Sequence, residues 1–262
     1  MAKEPGRCIF CGRHGLSKEH IWSEWTHALV PRLPNAAHER VHIASSRIEA
    51  EIHQRKKFQG SPNTIRLRKV CKYHCNNGWM SLLDDAAKPL LTPLITGVAT
   101  TLKADDQHII AAWLAMKVMV AEFSRPADVS TPQDHRTALM KERKLPPGWK
   151  IWIATHSSPW WQTGYHRHGA TLGFGRGPVP PKRPSGKNTQ SVTLGIGALL
   201  AHIIASPSAV KFDIPDEIGR YLIPIWPITS DITWPPPPLS DADVELVATA
   251  MERTLLPFMW LP

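Results

Sequence analysis

The sequence predicts an α+β protein in two parts: a small metal-stapled module over residues 1–95, and an α+β domain with an antiparallel sheet over residues 96–262. Three observations lead there. All four cysteines fall in the first third of the chain as two close pairs, Cys8/Cys11 and Cys71/Cys75. The run DDQHIIAAWLAMKVMVAEF (105–123) is apolar nearly all round, as a buried helix is. The stretches WKIWIATH, GATLGFG and SVTLGIGALLAHIIAS are three strand candidates in the last half.

The elements can be justified in order. After CIFC and the turn GRHG, the stretch SKEHIWSEWTHALV predicts a short helix capped by Ser17. RVHIASS predicts a strand, whereas RIEAEIHQRKKFQG is ambiguous. NTIRLRKV alternates and predicts a strand running into the second cysteine pair. NNGWMSLLDDAAKPLLTPLI places Met80, Leu83 and Ala87 at helical spacing, with Pro89 ending or bending the helix. TPQDHRTALMKERK predicts an exposed helix, with Thr131 as cap and Pro132 in its first turn. RYLIPIWPI is a further short strand, and WPPPPLSDADVELVATAMERTL a stiff polyproline segment leading into a helix capped by Ser240. The basic, proline-rich RGPVPPKRPSGKN reads as an exposed loop.

Composition narrows the function. The chain is 42% hydrophobic and 20% charged, within the range of globular proteins, with no apolar run long enough to span a bilayer. MAKEPGRCIF lacks the apolar core of a secretory signal, so a cytoplasmic location is expected. The net charge is +9, and it is uneven: residues 1–95 hold 15 Lys+Arg against 8 Asp+Glu. A basic module suits a polyanion such as nucleic acid.

Two tight cysteine pairs in a reducing compartment point to a metal site. The CxxC spacing of Cys8 and Cys11 lets both thiolates reach one tetrahedral ion, and Gly12 follows where a knuckle needs positive φ. Cys71 and Cys75 complete a structural zinc site, with His74 as a rival fourth ligand. Most of the remaining histidines of the module (14, 27, 38, 42 and 53) read as solvated. Asp84 reads as part of a solvated helix face, with a further metal ligand as the lesser alternative. Trp22, Trp25 and Trp79 read as packing beside the zinc site, and Trp160 and Trp161 as buried against the sheet or an interface.

With these residues in place, CIFC…KEH…CKYHCNNGW resembles the HNH, or ββα-metal, endonucleases built on a treble-clef zinc finger, over residues 8 to about 85. The resemblance implies a metal-dependent endonuclease hydrolysing DNA phosphodiesters. Position by position, it makes His20 the general base. Glu19 and Asn76 become ligands of a catalytic Mg²⁺ or Mn²⁺, and Asn63 the residue that orients the histidine. A hard divalent ion would neutralise transition-state charge while a neutral imidazole takes the proton of the attacking water. Arg55, Lys56 and Lys57 in HQRKK, and Arg66, Arg68 and Lys69 in IRLRK, would contact phosphates. Zinc-bearing relatives include phage recombination endonucleases, so a phage or mobile-element setting is implied. The chain departs from the pattern at Ser23, where the family often has Pro, and at Glu19, where Asp is more frequent. These departures admit an alternative: a zinc module that keeps the scaffold without cleavage and binds nucleic acid or an acidic protein partner. Residues 96–262 are an accessory domain, with homo-oligomer formation through it as a further expectation.

Overall fold

The computed structural model describes residues 6–30, 37–45, 50–60, 62–172, 186–206 and 216–255. The first strand is β1 (Leu16–His20). It is followed by the long hairpin β2 (Ala37–Ser45) and β3 (Ala50–Gln59), and by β4 (Arg66–Cys71). β1 and β4 pair antiparallel, with Leu16 opposite Cys71 and His20 opposite Arg66. Wide helical turns over Lys72–Met80, broken at Gly78, lead into α1 (Ser81–Thr96).

The rest of the chain builds around one sheet. After β5 (Thr100–Leu102), α2 (Ala104–Ala121) and α3 (Gln133–Glu142) come β6 (Trp149–Thr155), β7 (Tyr165–Ala170), β8 (Thr189–Ile196) and β9 (Leu199–Ala205). The short α4 (Asp216–Gly219), β10 (Ile223–Trp226), β11 (Ile232–Trp234) and α5 (Asp241–Leu255) close the described chain. The main sheet is antiparallel in every pairing, in the order β10-β6-β9-β8-β7. One face, carrying Ile151, Ile153, Val192 and Ile203, joins the core around α2. The other, carrying Ala154 and Leu200, packs with Val244, Val247 and Ala248 of α5. Helix α2 is buried nearly all round, as its sequence demands, and Ser240 caps α5 through a reciprocal pair of bonds with Asp243. Among the described residues, no helix is long and apolar enough to cross a membrane.

Several elements differ from expectation. The predicted helix over SKEHIWSEWTHALV is instead β1 followed by a 3-10 turn over Glu24–Ala28. Pairing with β4 overrides local propensity, and Ser17 donates its hydroxyl to the Val70 carbonyl (3.2 Å) rather than capping a helix. Within the ambiguous RIEAEIHQRKKFQG, Ala50–Gln59 is a strand, β3, because β2 lies beside it. α1 runs through Pro89 and on to Thr96, and Gly97 in the left-handed region ends it. Pro89 lies on the exposed face, where water can serve the carbonyl whose helical bond it removes. SVTLGIGALLAHIIAS is two strands, not one. The chain turns at Gly197, whose φ is +56°, and a Cβ there would sit 2.3 Å from the Ile95 carbonyl oxygen. The strand expected at GATLGFG begins earlier, at Tyr165, and residues 173–185, which hold most of the basic loop, lie outside the described ones. Helix α3 is not wholly exposed: His135, Arg136 and Leu139 are buried, and no side chain caps it.

Residue 95 lies in the last turn of α1, and the apolar core is continuous across it. Phe10, Trp22 and Met80 share one cluster with Trp113, Val118 and Ile203.

Candidate metal centre and acid-histidine site

The four cysteines converge because β1 and β4 pair. The Lys72 amide donates to the Gly15 carbonyl (3.0 Å) and the Ile9 amide to the Lys69 carbonyl (3.0 Å), which fastens the CIFC turn onto the end of β4. Within the turn, the Gly12 amide donates to the Cys8 carbonyl (2.9 Å), and Gly12 has φ +72° as a knuckle requires. All four sulfurs lie within 4.8 Å of one another. Cys8 and Cys75 Sγ are 3.7 Å apart, and Cys11 and Cys71 Sγ 3.4 Å. A disulfide needs about 2.05 Å, so these are free thiols. Four Zn–S bonds of about 2.3 Å at tetrahedral angles put sulfurs about 3.8 Å apart. The donor set therefore fits a structural zinc, and His74 stands outside it. The Cys8 thiol is pulled down to about 4, chiefly by its hydrogen bond with Cys75, which in turn is pushed up.

A cleft of about 490 Å³ opens between this knuckle and α3, with Arg13, Gln133 and Lys141 in its wall. Gln133 ties the two sides together by donating to the Phe10 carbonyl (3.2 Å). Arg143 stacks on Trp79 beside the cysteine cluster (4.5 Å to the ring centre). The cleft belongs to the zinc knuckle and does not include the acid-histidine pair.

Glu19 and His20 sit at the far end of β1. Successive side chains on a strand point to opposite faces, and the two go different ways. Glu19 is buried, and its Oε1 accepts from the ammonium of Lys117 on α2 at 2.8 Å. The same Nζ lies 3.6 Å from Oδ2 of Asp84 on α1. Asp84 Oδ1 accepts from Trp113 Nε1 at 2.5 Å and from the Ser23 hydroxyl. Lysine is almost never fully buried without a partner. Burial works against the charge of Lys117, but Glu19 and then Asp84 outweigh it, holding its pKa above the ordinary value. It is a cation at neutral pH.

His20 is half-buried, beside the His27 ring (5.7 Å between centres), and its Nε2 is buried without a hydrogen-bond partner among the described residues. Burial, then the Arg66 guanidinium, lowers its pKa, so the imidazole is neutral at pH 7. Asn76 follows the last cysteine and donates its amide to Ser17 Oγ (2.9 Å) and to the Lys18 carbonyl (3.5 Å), binding the helix start to β1. Glu19, His20 and Asn76 share no hydrogen bond or ion pair among the described residues. Asn63 falls in the 3-10 turn Pro62–Thr64, and its side chain lies outside the described ones, as do those of Arg55 and Lys56 on β3. Lys57, Arg66 and Arg68 are exposed, and Lys69 is partly buried over the Phe123 ring.

One expectation is corrected. Asp84 is no member of a solvated face, since Trp113, Ser23 and Lys117 all bind its carboxylate. Of the tryptophan pair, Trp161 is buried and donates to Glu245, as burial against the sheet predicts, whereas Trp160 is 82% exposed. Trp22 and Trp79 are both buried, and Trp79 meets Phe10 of the first cysteine turn edge-on (5.0 Å between ring centres). Sequence reasoning missed Lys117 altogether. The signal was a single lysine in a helix buried on every side, which must find a carboxylate.

No protein-family model matches the chain at a significant level, nor does any curated protein or solved structure.

Proposed function

We propose that the chain is a zinc-stapled, treble-clef nucleic-acid protein of HNH type, and that it hydrolyses DNA phosphodiesters with His20 as general base. The reading is carried by one arrangement: the four-cysteine cluster fastens the β1–β4 pair to the helix that follows, and His20, neutral at pH 7, ends the first strand opposite Arg66. Zinc would be held by Cys8, Cys11, Cys71 and Cys75 and would supply fold stability, not chemistry. Lys18, Arg66, Arg68 and Lys72 are the exposed cations of the paired strands and the following turn, suited to phosphate contact. His20 would accept the proton of an attacking water, and Arg66 would stabilise the phosphate charge.

A second reading, binding without cleavage, is favoured by a separate observation. The acid of the acid-histidine pair is committed to Lys117, so Glu19 is not an open ligand for a catalytic ion.

Supercoiled plasmid with Mg²⁺ or Mn²⁺ separates the two. Nicking by the full chain that is lost in His20→Ala supports hydrolysis. Equal behaviour of the two proteins overturns it. Salt-sensitive DNA binding without nicking supports the second reading, and no DNA binding at high protein and low salt overturns both.

A further inference from the structure

We propose that Lys117 is the resident cation of the acid-histidine site, a positioning residue supplied by the C-terminal part of the chain that takes the place between Glu19 and Asp84 and closes it to divalent ions. The inference concerns the same site as the reading above but does not depend on cleavage. One ammonium nitrogen lies 2.8 Å from the Glu19 carboxylate and 3.6 Å from that of Asp84. Two carboxylates gathered at one buried point require a cation between them. A free divalent ion could fill that role. Here it is covalently part of the protein.

Three features keep it there. Lys117 sits in a helix buried on every side, between Met116 and Val118, so its charge has no route to water. A divalent ion entering between the carboxylates would strand the ammonium unpaired in the apolar core, a cost that the hydration energy of a hard ion like Mg²⁺ only increases. The second carboxylate is fixed independently, because Trp113 and Ser23 both donate to Asp84 Oδ1 and leave Oδ2 aimed at Lys117. Ser23 stands where the family often has proline, so this departure in sequence is part of the same arrangement. The consequence for the site is direct: Glu19 is held on the core side of β1, away from the imidazole of His20, by a residue 98 positions away in sequence.

The test uses the zinc-loaded full chain and the metal alone. Thermal unfolding and calorimetric titration with millimolar Mn²⁺ are run on wild type, Lys117→Met and Lys117→Gln, the second keeping a donor for Glu19 should the methionine variant fail to fold. Wild type is expected to show no saturable Mn²⁺ site that depends on Glu19. With the ammonium gone, the variant gains one saturable Mn²⁺ site and an upward shift in Tm, and adding Glu19→Gln to it abolishes both. Two results overturn the proposal: a saturable Mn²⁺ site in wild type that Glu19→Gln removes, or a folded Lys117 variant with no Mn²⁺ response. Plasmid cleavage plays no part in this readout, so the two readings fail separately.

Discussion

Two buried ion clusters stand five residues apart at the end of α2, and they are built with opposite stoichiometry. At Glu122 one carboxylate meets a surplus of donors. Arg136 Nη2 lies at 2.6 Å, the amides of Ser130 and Thr131 at 3.0 and 3.1 Å, and Arg167 Nη2 at 3.8 Å. Gln190 completes the shell, and Arg167 itself donates to the Asp128 carbonyl and to Ser130 Oγ. Every member belongs to the region after α1, and Glu122 is wholly buried. At Lys117 the count is reversed, with one cation for two carboxylates, and both acids come from the first third of the chain. Asp84 also keeps about a quarter of its side chain exposed. The difference separates a strut from a site. The Glu122 cluster saturates its anion and locks α3 and the sheet to α2. The Lys117 cluster leaves an excess of negative charge around a single buried ammonium.

Breaking the strut should have the larger effect on stability. Glu122→Ala strands the buried Arg136 guanidinium and takes the acceptor from the Ser130 and Thr131 amides, and denaturant unfolding should register a loss of about 3–5 kcal/mol, with no Mn²⁺ response gained. A loss under about 1 kcal/mol would mean that the saturated shell is not holding α3 in place. Lys117→Met should cost less, about 2 kcal/mol, because the partly exposed Asp84 can turn to water. If the two variants were equally destabilised and equally silent to Mn²⁺, the contrast would collapse.

A third effect is one of pH within the sheet. His202 is fully buried, bonded to Thr193 at 2.8 Å, and burial pushes its pKa down to about 3 from 6.5. The unfolded chain therefore takes up this proton first as pH falls. Stability from neutral His202 is complete above about pH 6.5 and is lost toward pH 3, at a slope of about 1.4 kcal/mol per pH unit. Burial also lowers the pKa of His135 and His156, which steepens the same trend. Thermal melts of wild type and His202→Asn between pH 7 and pH 4 should converge as pH falls. Parallel curves would contradict the assignment.

How much of this was legible in the sequence depended on how local each feature is. The four-cysteine cluster was legible because two short spacings hold each pair together and Gly12 closes the first turn. Helix α2 declared itself through an apolar surface on all sides, and α5 through its cap Ser240. β1 was hidden because its strand character comes from β4, some fifty residues away, and not from its own residues. The split of SVTLGIGALLAHIIAS hung on Gly197 meeting the Ile95 carbonyl, a contact between distant elements. The acid-histidine pair was found, yet the direction of Glu19 was not, because Lys117 and Asp84 reach it through tertiary packing. A lone lysine in a buried helix announces that it has a partner without saying which.

Everything in the first part of the molecule rests on the four-cysteine cluster, so the most direct measurement is the metal content of the purified full chain. One zinc per chain by atomic emission, retained through dialysis and lost in Cys71→Ser together with cooperative unfolding of the β1–β4 pair, is the predicted result. Zinc far below one per chain in a folded protein, or a Cys71→Ser variant with unchanged zinc and stability, would contradict it.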